Sequence, residues 1–321
     1  MTPTAELGYE AAMVTLSETR RPPESRQSWY RVEAAFVAVF FGLCRMMPLD
    51  AASWFGGWLG RRIGPGLGVS AQARANLAAA FPELTADAIE RIVRGMWDNL
   101  GRVAAEYPHL QRIRVFSGDG RVEIRGIEHI ERALAERRRM ILFSGHLANW
   151  EISQLAAGQY GIDGGLVYRT ANNPVVDRMI VRYRGWPGEV IPKEAVGRRG
   201  VAALRRGVHL FILVDQKLNE GIPVPFFGRD AMTAPTVALL AQRFDCDLLP
   251  VRIERVGGAR FRLTVEPPLP LPDTGNRATD VAAIMAAVNG TLERWIRERP
   301  EHWFWVHRRW PDAGTGQPDS A

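Results

Sequence analysis

The feature that most constrains this 321-residue chain is a regular alternation of strand-like and helix-like segments from about residue 122 onward. Short runs rich in β-branched and aromatic residues ("MILF", "GGLVYRT", "GEVIP", "HLFILVDQ", "DLLPVRIER", "RFRLTVEPPLP") are separated by segments with apolar residues at helical spacing, at about 174–184, 196–206, 234–244 and 280–299. Helices that connect successive parallel strands must lie on the faces of the sheet, so both faces become covered. The predicted fold is α/β: a layered domain with a largely parallel mixed sheet flanked by helices. No Walker loop, G-x-G-x-x-G fingerprint, G-x-S-x-G elbow or internal repeat interrupts this pattern.

Ahead of the alternation the chain is different. Residues 1–27 carry Thr, Glu, Arg and "RPPESR" without periodicity and are expected to be a mobile tail, as are 311–321. Residues 28–68 hold Trp29, Tyr30, Phe36, Phe40, Phe41, Trp54, Phe55 and Trp58 beside Arg45, Arg61 and Arg62. The uncharged run between Glu33 and Arg45 is shorter than the roughly 20 residues a straight spanning helix needs, so a helix pair lying in a membrane interface and a pair of buried core helices are both open readings. The main domain is expected over 69–310. It begins with helices broken at Pro82, the second of them capped by Thr85.

Composition narrows the partners. A net charge of +6 and a pI near 9.8 favour anionic partners, among them phospholipid headgroups, phosphorylated glycolipids and nucleic acid. Lys193 and Lys217 are the only lysines, so the positive charge is almost all guanidinium. Its planar fork suits phosphate, although GC-rich coding produces the same bias. Cys44 and Cys246 are too far apart in sequence for a metal-binding spacing and indicate no disulfide framework. Neither a metal nor an organic cofactor is implied.

One stretch carries chemistry: "RMILFSGHLANWEIS", where a strand-like run meets Ser144 and Gly145, then His146 and Glu151. With 6 His and 35 acidic residues in the chain, chance alone supplies roughly 0.7 such pairs, and His307 with Asp312 is a second. Context favours the first. Residues five apart on a helix lie about 140° apart, so His146 and Glu151 can meet only if the histidine precedes the helix. A strand-to-helix loop permits that and is a common site position in α/β folds. An imidazole held by a carboxylate can take the proton of an alcohol as it attacks an acyl carbonyl. The second pair lacks this context.

Together with "VYRTANNPVVDR", "LVDQ", "VPFFGRDAMTAP" and "EHWFWVHRRW", in that order, the stretch resembles the late acyltransferases of lipid A biosynthesis over residues 30–310. The resemblance implies a membrane-bound, glycerolipid-acyltransferase-like enzyme at the cytoplasmic face of the inner membrane, with 69–310 as its acyltransferase domain. It also implies transfer of a fatty acyl chain from an acyl-carrier-protein or acyl-CoA thioester to a hydroxyl of an anionic glycolipid, the lipid A precursor. Nucleic acid is not an expected partner. The catalytic pair maps to His146 and Glu151, and substrate contacts to Arg169, Asn149, Asn173, Asp215 and Gln216. Ala148 stands where the family usually has Gly. "VPFFG" is read as an acyl groove or as core, and the Trp-rich C-terminal motif as packing. The same chemistry on another membrane lipid, such as an inositol mannoside or an amino-acid lipid, is an alternative, as is a non-catalytic lipid- or nucleic-acid-binding protein.

Overall fold

The computed structural model of the protein describes residues 24–118 and 120–310, so the two expected tails fall almost wholly outside the described residues. Among the described residues four α-helices come first: α1 (Glu24–Met46), α2 (Leu49–Ile63), α3 (Val69–Ala80) and α4 (Ala86–Glu106). The break at Pro82 and the Thr85 cap are as expected, the Thr85 hydroxyl accepting from the Ala88 N–H. Strands β1 (Val122–Arg125), β2 (Met140–Ser144), β3 (Gly164–Tyr168), β4 (Glu189–Pro192), β5 (His209–Leu213), β8 (Asp247–Gly257) and β9 (Arg260–Val265) form one sheet, in the order β1-β9-β8-β2-β5-β3-β4. Every pairing in it is parallel except β8 with β9. The mixed, mostly parallel sheet is therefore as the alternation predicted. β6 (Lys217–Phe226) and β7 (Arg229–Thr233) form a separate antiparallel hairpin.

Helices α5 (Ile127–Ala135), α6 (Glu151–Tyr160), α7 (Pro174–Arg184), α8 (Val201–Arg205), α9 (Thr236–Phe244) and α10 (Arg277–Glu298) complete the layers. β2 shows why both faces are covered. All five of its residues are buried, Leu142 facing a core with Ile152 and Ala156 of α6, and Ile141 and Phe143 facing one with Leu240 of α9 and Ile284 of α10. Alternate side chains of a strand point to opposite faces, so a strand buried on both sides is apolar along its length, here up to Ser144 at its end. The helix expected over 196–206 differs: a π-turn at Val196–Gly200 precedes a five-residue α8, consistent with Gly197 and Gly200, which disfavour regular helix. The last helix starts earlier than expected because Asn276 caps it, accepting from Ala278 and Thr279 N–H.

The N-terminal helices are neither wholly buried nor wholly exposed. α1 turns Ala34, Phe41 and Cys44 inward, while Trp29, Val32, Phe36, Val39, Leu43 and Met46 form an exposed apolar stripe at i+3/i+4 spacing. α2 meets α4 backbone to backbone: a Cβ on Gly56 would collide with the Gly101 carbonyl, and one on Gly60 with the Trp97 carbonyl. The outer side of α2 exposes Trp54 and Trp58. Among the described residues, no helix is long and apolar enough to cross a membrane.

Gly60→Ala should therefore lower stability by about 1–3 kcal/mol, because an added methyl has no room between two backbones. Gly66→Ala, where an added Cβ meets nothing within 4 Å, is the reference. Thermal unfolding of the two variants checks this, and equal midpoints would contradict it.

Candidate active site

In a parallel sheet the carboxyl ends of neighbouring strands lie side by side, so loops distant in sequence meet there. β2 and β5 are such neighbours, and their pairing runs on to a Val214 N–H to Ser144 carbonyl bond of 2.9 Å. This places the loop of His146 against Asp215. The His146 backbone N–H donates to Asp215 Oδ2 at 2.7 Å, and its Nδ1 lies 2.8 Å from Asp215 Oδ1. Gly145 allows the approach, since even a Cβ there would sit 3.2 Å from Asp215 Oδ2.

The C-terminal segment closes the arrangement. Leu147 and Trp303 form an antiparallel bridge, the Ala148 N–H donates to the His302 carbonyl at 2.9 Å, and Trp303 Nε1 donates to Asp215 Oδ2 at 2.8 Å. Asp215 is fully buried and accepts from three groups. Burial works to raise its pKa, but the charge and hydrogen bonds of His146 outweigh it and hold the carboxyl well below the usual range. An ionised carboxylate only accepts, so Nδ1 of His146 is the donor and Nε2 of the neutral ring carries the lone pair. The His146 side chain keeps 14% of its surface exposed. Its ring is flanked edge-to-face by Trp150 at 5.0 Å and by His307 at 5.2 Å.

Glu151 is close in sequence but engaged elsewhere. It is the first residue of α6, and its buried carboxylate takes a two-point contact from Arg184 at 2.7 and 2.8 Å, a bond from Trp150 Nε1 at 3.1 Å and another from the Tyr107 hydroxyl. Burial opposes ionisation, yet Arg184 and these donors leave its pKa lowered. The expected His146–Glu151 hydrogen bond is replaced by His146–Asp215. The histidine does precede the helix as required, but the turn aims it at β5, whereas Glu151 points inward toward Arg184 of α7.

The other anticipated residues separate into two groups. Asn149 is buried, donates to Glu106 Oε2 at 2.8 Å and accepts from the Glu151 N–H at 3.2 Å. Asn173 caps α7 and donates to the Tyr30 carbonyl and to Glu33, tying α7 to α1. Both have their polar groups used within the fold. Asp215, anticipated as a substrate contact, is closed off by its three donors. Exposed Arg169 follows β3 and bonds Asn172, and its charge is among those acting on His307. Gln216 is half-buried directly after Asp215.

Sequence reasoning set His307 aside, yet the structure brings it to the site; Asp312, its supposed partner, lies outside the described residues. The motif "EHWFWVHRRW" was the available signal. Its reading as packing is correct for Trp303, Trp305 and Trp310, which are buried with Phe226 and Phe227, so the "VPFFG" phenylalanines are core. His146, Asp215 and His307 each offer one donor atom, all within 4.8 Å of one another, and are the described residues best placed to hold a metal ion. The His146–Asp215 spacing is that of a hydrogen bond, so a metal would have to displace that proton.

A family model described as bacterial lipid A biosynthesis acyltransferase matches residues 21–312. The chain belongs to this family. Relatives include an Escherichia coli lipid A biosynthesis lauroyltransferase, 27% identical over 76% of this chain and 79% of the relative. A Haemophilus influenzae lipid A biosynthesis acyltransferase is 24% identical over 94% and 92%. An E. coli lipid A biosynthesis palmitoleoyltransferase is 24% identical over 76% and 79%. The protein is accordingly an acyltransferase, and acyl transfer in lipid A biosynthesis is its activity.

Two predictions come from the site. Ala148 has φ of 48°, in the left-handed region that favours glycine. Ala148→Gly should keep full activity and hold or raise stability by up to about 1 kcal/mol, which thermal unfolding will read. Burial, with the charges of His146, Arg169 and Arg309 overcoming the pull of Asp215, pushes His307 down to about 4. Burial and neighbouring arginines push His302 down to about 3. In the unfolded chain both bind protons near pH 6.5, so between there and pH 4 the unfolded state holds more protons, and stability must fall as pH falls through this window. His302→Gln should flatten the slope of midpoint against pH, and an unchanged slope would contradict the assignment.

Proposed function

We propose that His146 is the general base of the acyl transfer and that Asp215 orients it. The observation that carries this is the Asp215–Nδ1 contact, which leaves Nε2 free to accept a proton. The acceptor is a hydroxyl of the lipid A precursor, the 3-hydroxyl of a chain already attached, and the donor is an acyl-carrier-protein or acyl-CoA thioester. As the hydroxyl attacks, His146 takes its proton and becomes imidazolium, which the buried Asp215 charge stabilises; the same proton then goes to the departing thiolate. Glu151 supports the reaction as a positioning residue, fixing the start of α6, and with it the His146 loop, against Arg184 and Tyr107. Arg169 and Gln216, at the ends of β3 and β5, are the proposed contacts to the anionic acceptor.

The experiment compares three variants with a lipid A precursor and lauroyl-acyl-carrier protein. His146→Ala should lose about 10²- to 10⁴-fold in kcat and remain folded. Asp215→Asn should fall in the same range, because an amide cannot stabilise imidazolium. Glu151→Gln should lower stability by about 3–5 kcal/mol, since it leaves the buried Arg184 without its counter-charge. If folded Glu151→Gln is as inactive as His146→Ala while Asp215→Asn keeps its rate, Glu151 is the orienting carboxylate instead.

The reading extends to where the enzyme works. Its acceptor lies in a bilayer and its thioester is made in the cytoplasm, so the cytoplasmic face of the inner membrane is the proposed location. The exposed stripe of α1, with Trp29 and Phe36 each 73% and Met46 77% open, is the proposed contact, together with Trp54 and Trp58. Arg45 and Arg62 can meet anionic headgroups, each contributing about 1 kcal/mol. Removing buried apolar side chains from such a contact costs about 1.5–3 kcal/mol apiece. The double variant Phe36→Asp/Leu43→Asp should therefore stop floating with vesicles of anionic phospholipid while its unfolding midpoint is unchanged. Undiminished flotation would remove α1 from the contact.

A further inference from the structure

The C-terminal segment supplies Trp303 to the Asp215 shell, and four residues later it supplies an imidazole that the proposed mechanism does not use. His307 sits with its ring centre 5.2 Å from that of His146, inclined by 66°. Its position is fixed from several sides: the Phe304 ring lies edge-to-face at 4.7 Å, the His307 carbonyl accepts from Asn76 Nδ2 at 2.8 Å, and the Arg309 N–H donates to the same carbonyl at 2.9 Å. The side chain makes no hydrogen bond among the described residues, and Nε2 is enclosed without a partner. A buried polar atom left unpaired is costly and calls for an explanation. The residue as a whole is half-buried.

We propose that His307 is a second catalytic imidazole, a neutral hydrogen-bond donor to the thioester carbonyl oxygen as negative charge develops there. This rests on His146 being the base. A hydroxyl held by His146 must lie about 3–3.5 Å from the carbonyl carbon it attacks, which places the carbonyl oxygen beyond the hydroxyl and within reach of a ring standing beside the base. Arg169 brings a formal positive charge to the same region. Burial holds His307 down to about 4, so at neutral pH the ring is uncharged and has one N–H to donate. A neutral imidazole used as an electrophile is an established device, and preorganised donors of this kind are usually among the larger contributions to catalysis.

In the step itself the hydroxyl O–H breaks, its proton passing to Nε2 of His146, and the hydroxyl oxygen forms a bond to the carbonyl carbon. The π pair of the carbonyl moves onto its oxygen, which takes the His307 hydrogen bond. Collapse re-forms the carbonyl, breaks the carbon–sulfur bond and returns the proton from His146 to the thiolate. His307 gains and loses nothing; it holds the oxygen's charge between the two events.

The test is kinetic, on the full chain with lauroyl-acyl-carrier protein and a lipid A precursor. His307→Leu and His307→Gln are compared because the two side chains are similar in size, so a packing loss common to both cancels; the amide of Gln keeps a donor and Leu has none. His307→Leu should lose about 10²- to 10³-fold in kcat with KM little changed. His307→Gln should recover at least tenfold of that loss, at an unfolding midpoint no higher than that of His307→Leu. Wild-type kcat in His307→Leu, or equal kcat in the two variants, would overturn the proposal. His146→Ala in the same assay separates the two readings. If it is inactive while His307→Leu is normal, only the donor role fails; if it is active, the base assignment fails.

Discussion

A carboxylate without exposed surface has to be surrounded by donors, and Asp215 stands in that position at the carboxyl end of a central parallel strand. Meeting its needs determines much around it. The loop after β2 must present both a backbone N–H and an imidazole to it, and Trp303 must be brought across the sheet edge from the far end of the chain. The bridge of Leu147 to Trp303 and the aromatic cluster of Trp303, Trp305, Phe226 and Phe227 are what hold that segment there. One buried charge thus couples the sheet, the C-terminal segment and His146.

Glu151 and Glu106 show the same logic used differently. Glu151 is matched by Arg184, and Glu106 by Arg255 at 2.6 and 3.0 Å, with Asn149 bonded to the second carboxylate and accepting from the Glu151 N–H where α6 begins. The loop between β2 and α6 is therefore braced at its α6 end by two buried ion pairs. Such pairs contribute little net stability against an apolar alternative, but breaking one is severe, so they specify position more than they add strength.

The fold was legible where the determining contacts are local. Strand and helix periods, the Thr85 cap and the start of α7 at Pro174 can be read because each depends on neighbours a few residues away. The His146 loop was legible for the same reason, as a strand stopping at a small-residue pair before a helix. Its true partner was not, because Asp215 lies 69 residues on and meets His146 only through the pairing of β2 with β5. Asp215 was marked by its place at a strand end, without its role. His307 could not be brought to the site by any local rule, since its position depends on how the chain returns after α10. Arg184 ends a helix like any other arginine, and nothing in its surroundings in sequence announces the carboxylate it meets.

The Trp303 contact also bears on how the enzyme comes into being during synthesis. The chain is made from its N-terminus, so β2, β5 and the loops carrying His146 and Asp215 exist long before residue 303. Until then Asp215 lacks its indole donor, the His146 loop lacks its bridge, and the aromatic cluster is missing its C-terminal half. A chain ending at residue 299 would hold the entire sheet with His146 and Asp215, yet it would lack the indole that bonds the carboxylate and the bridge to Leu147. The surroundings of His146 and Asp215 are thus completed by the last residues to emerge, and an interrupted translation product would carry both side chains without the segment that closes around them.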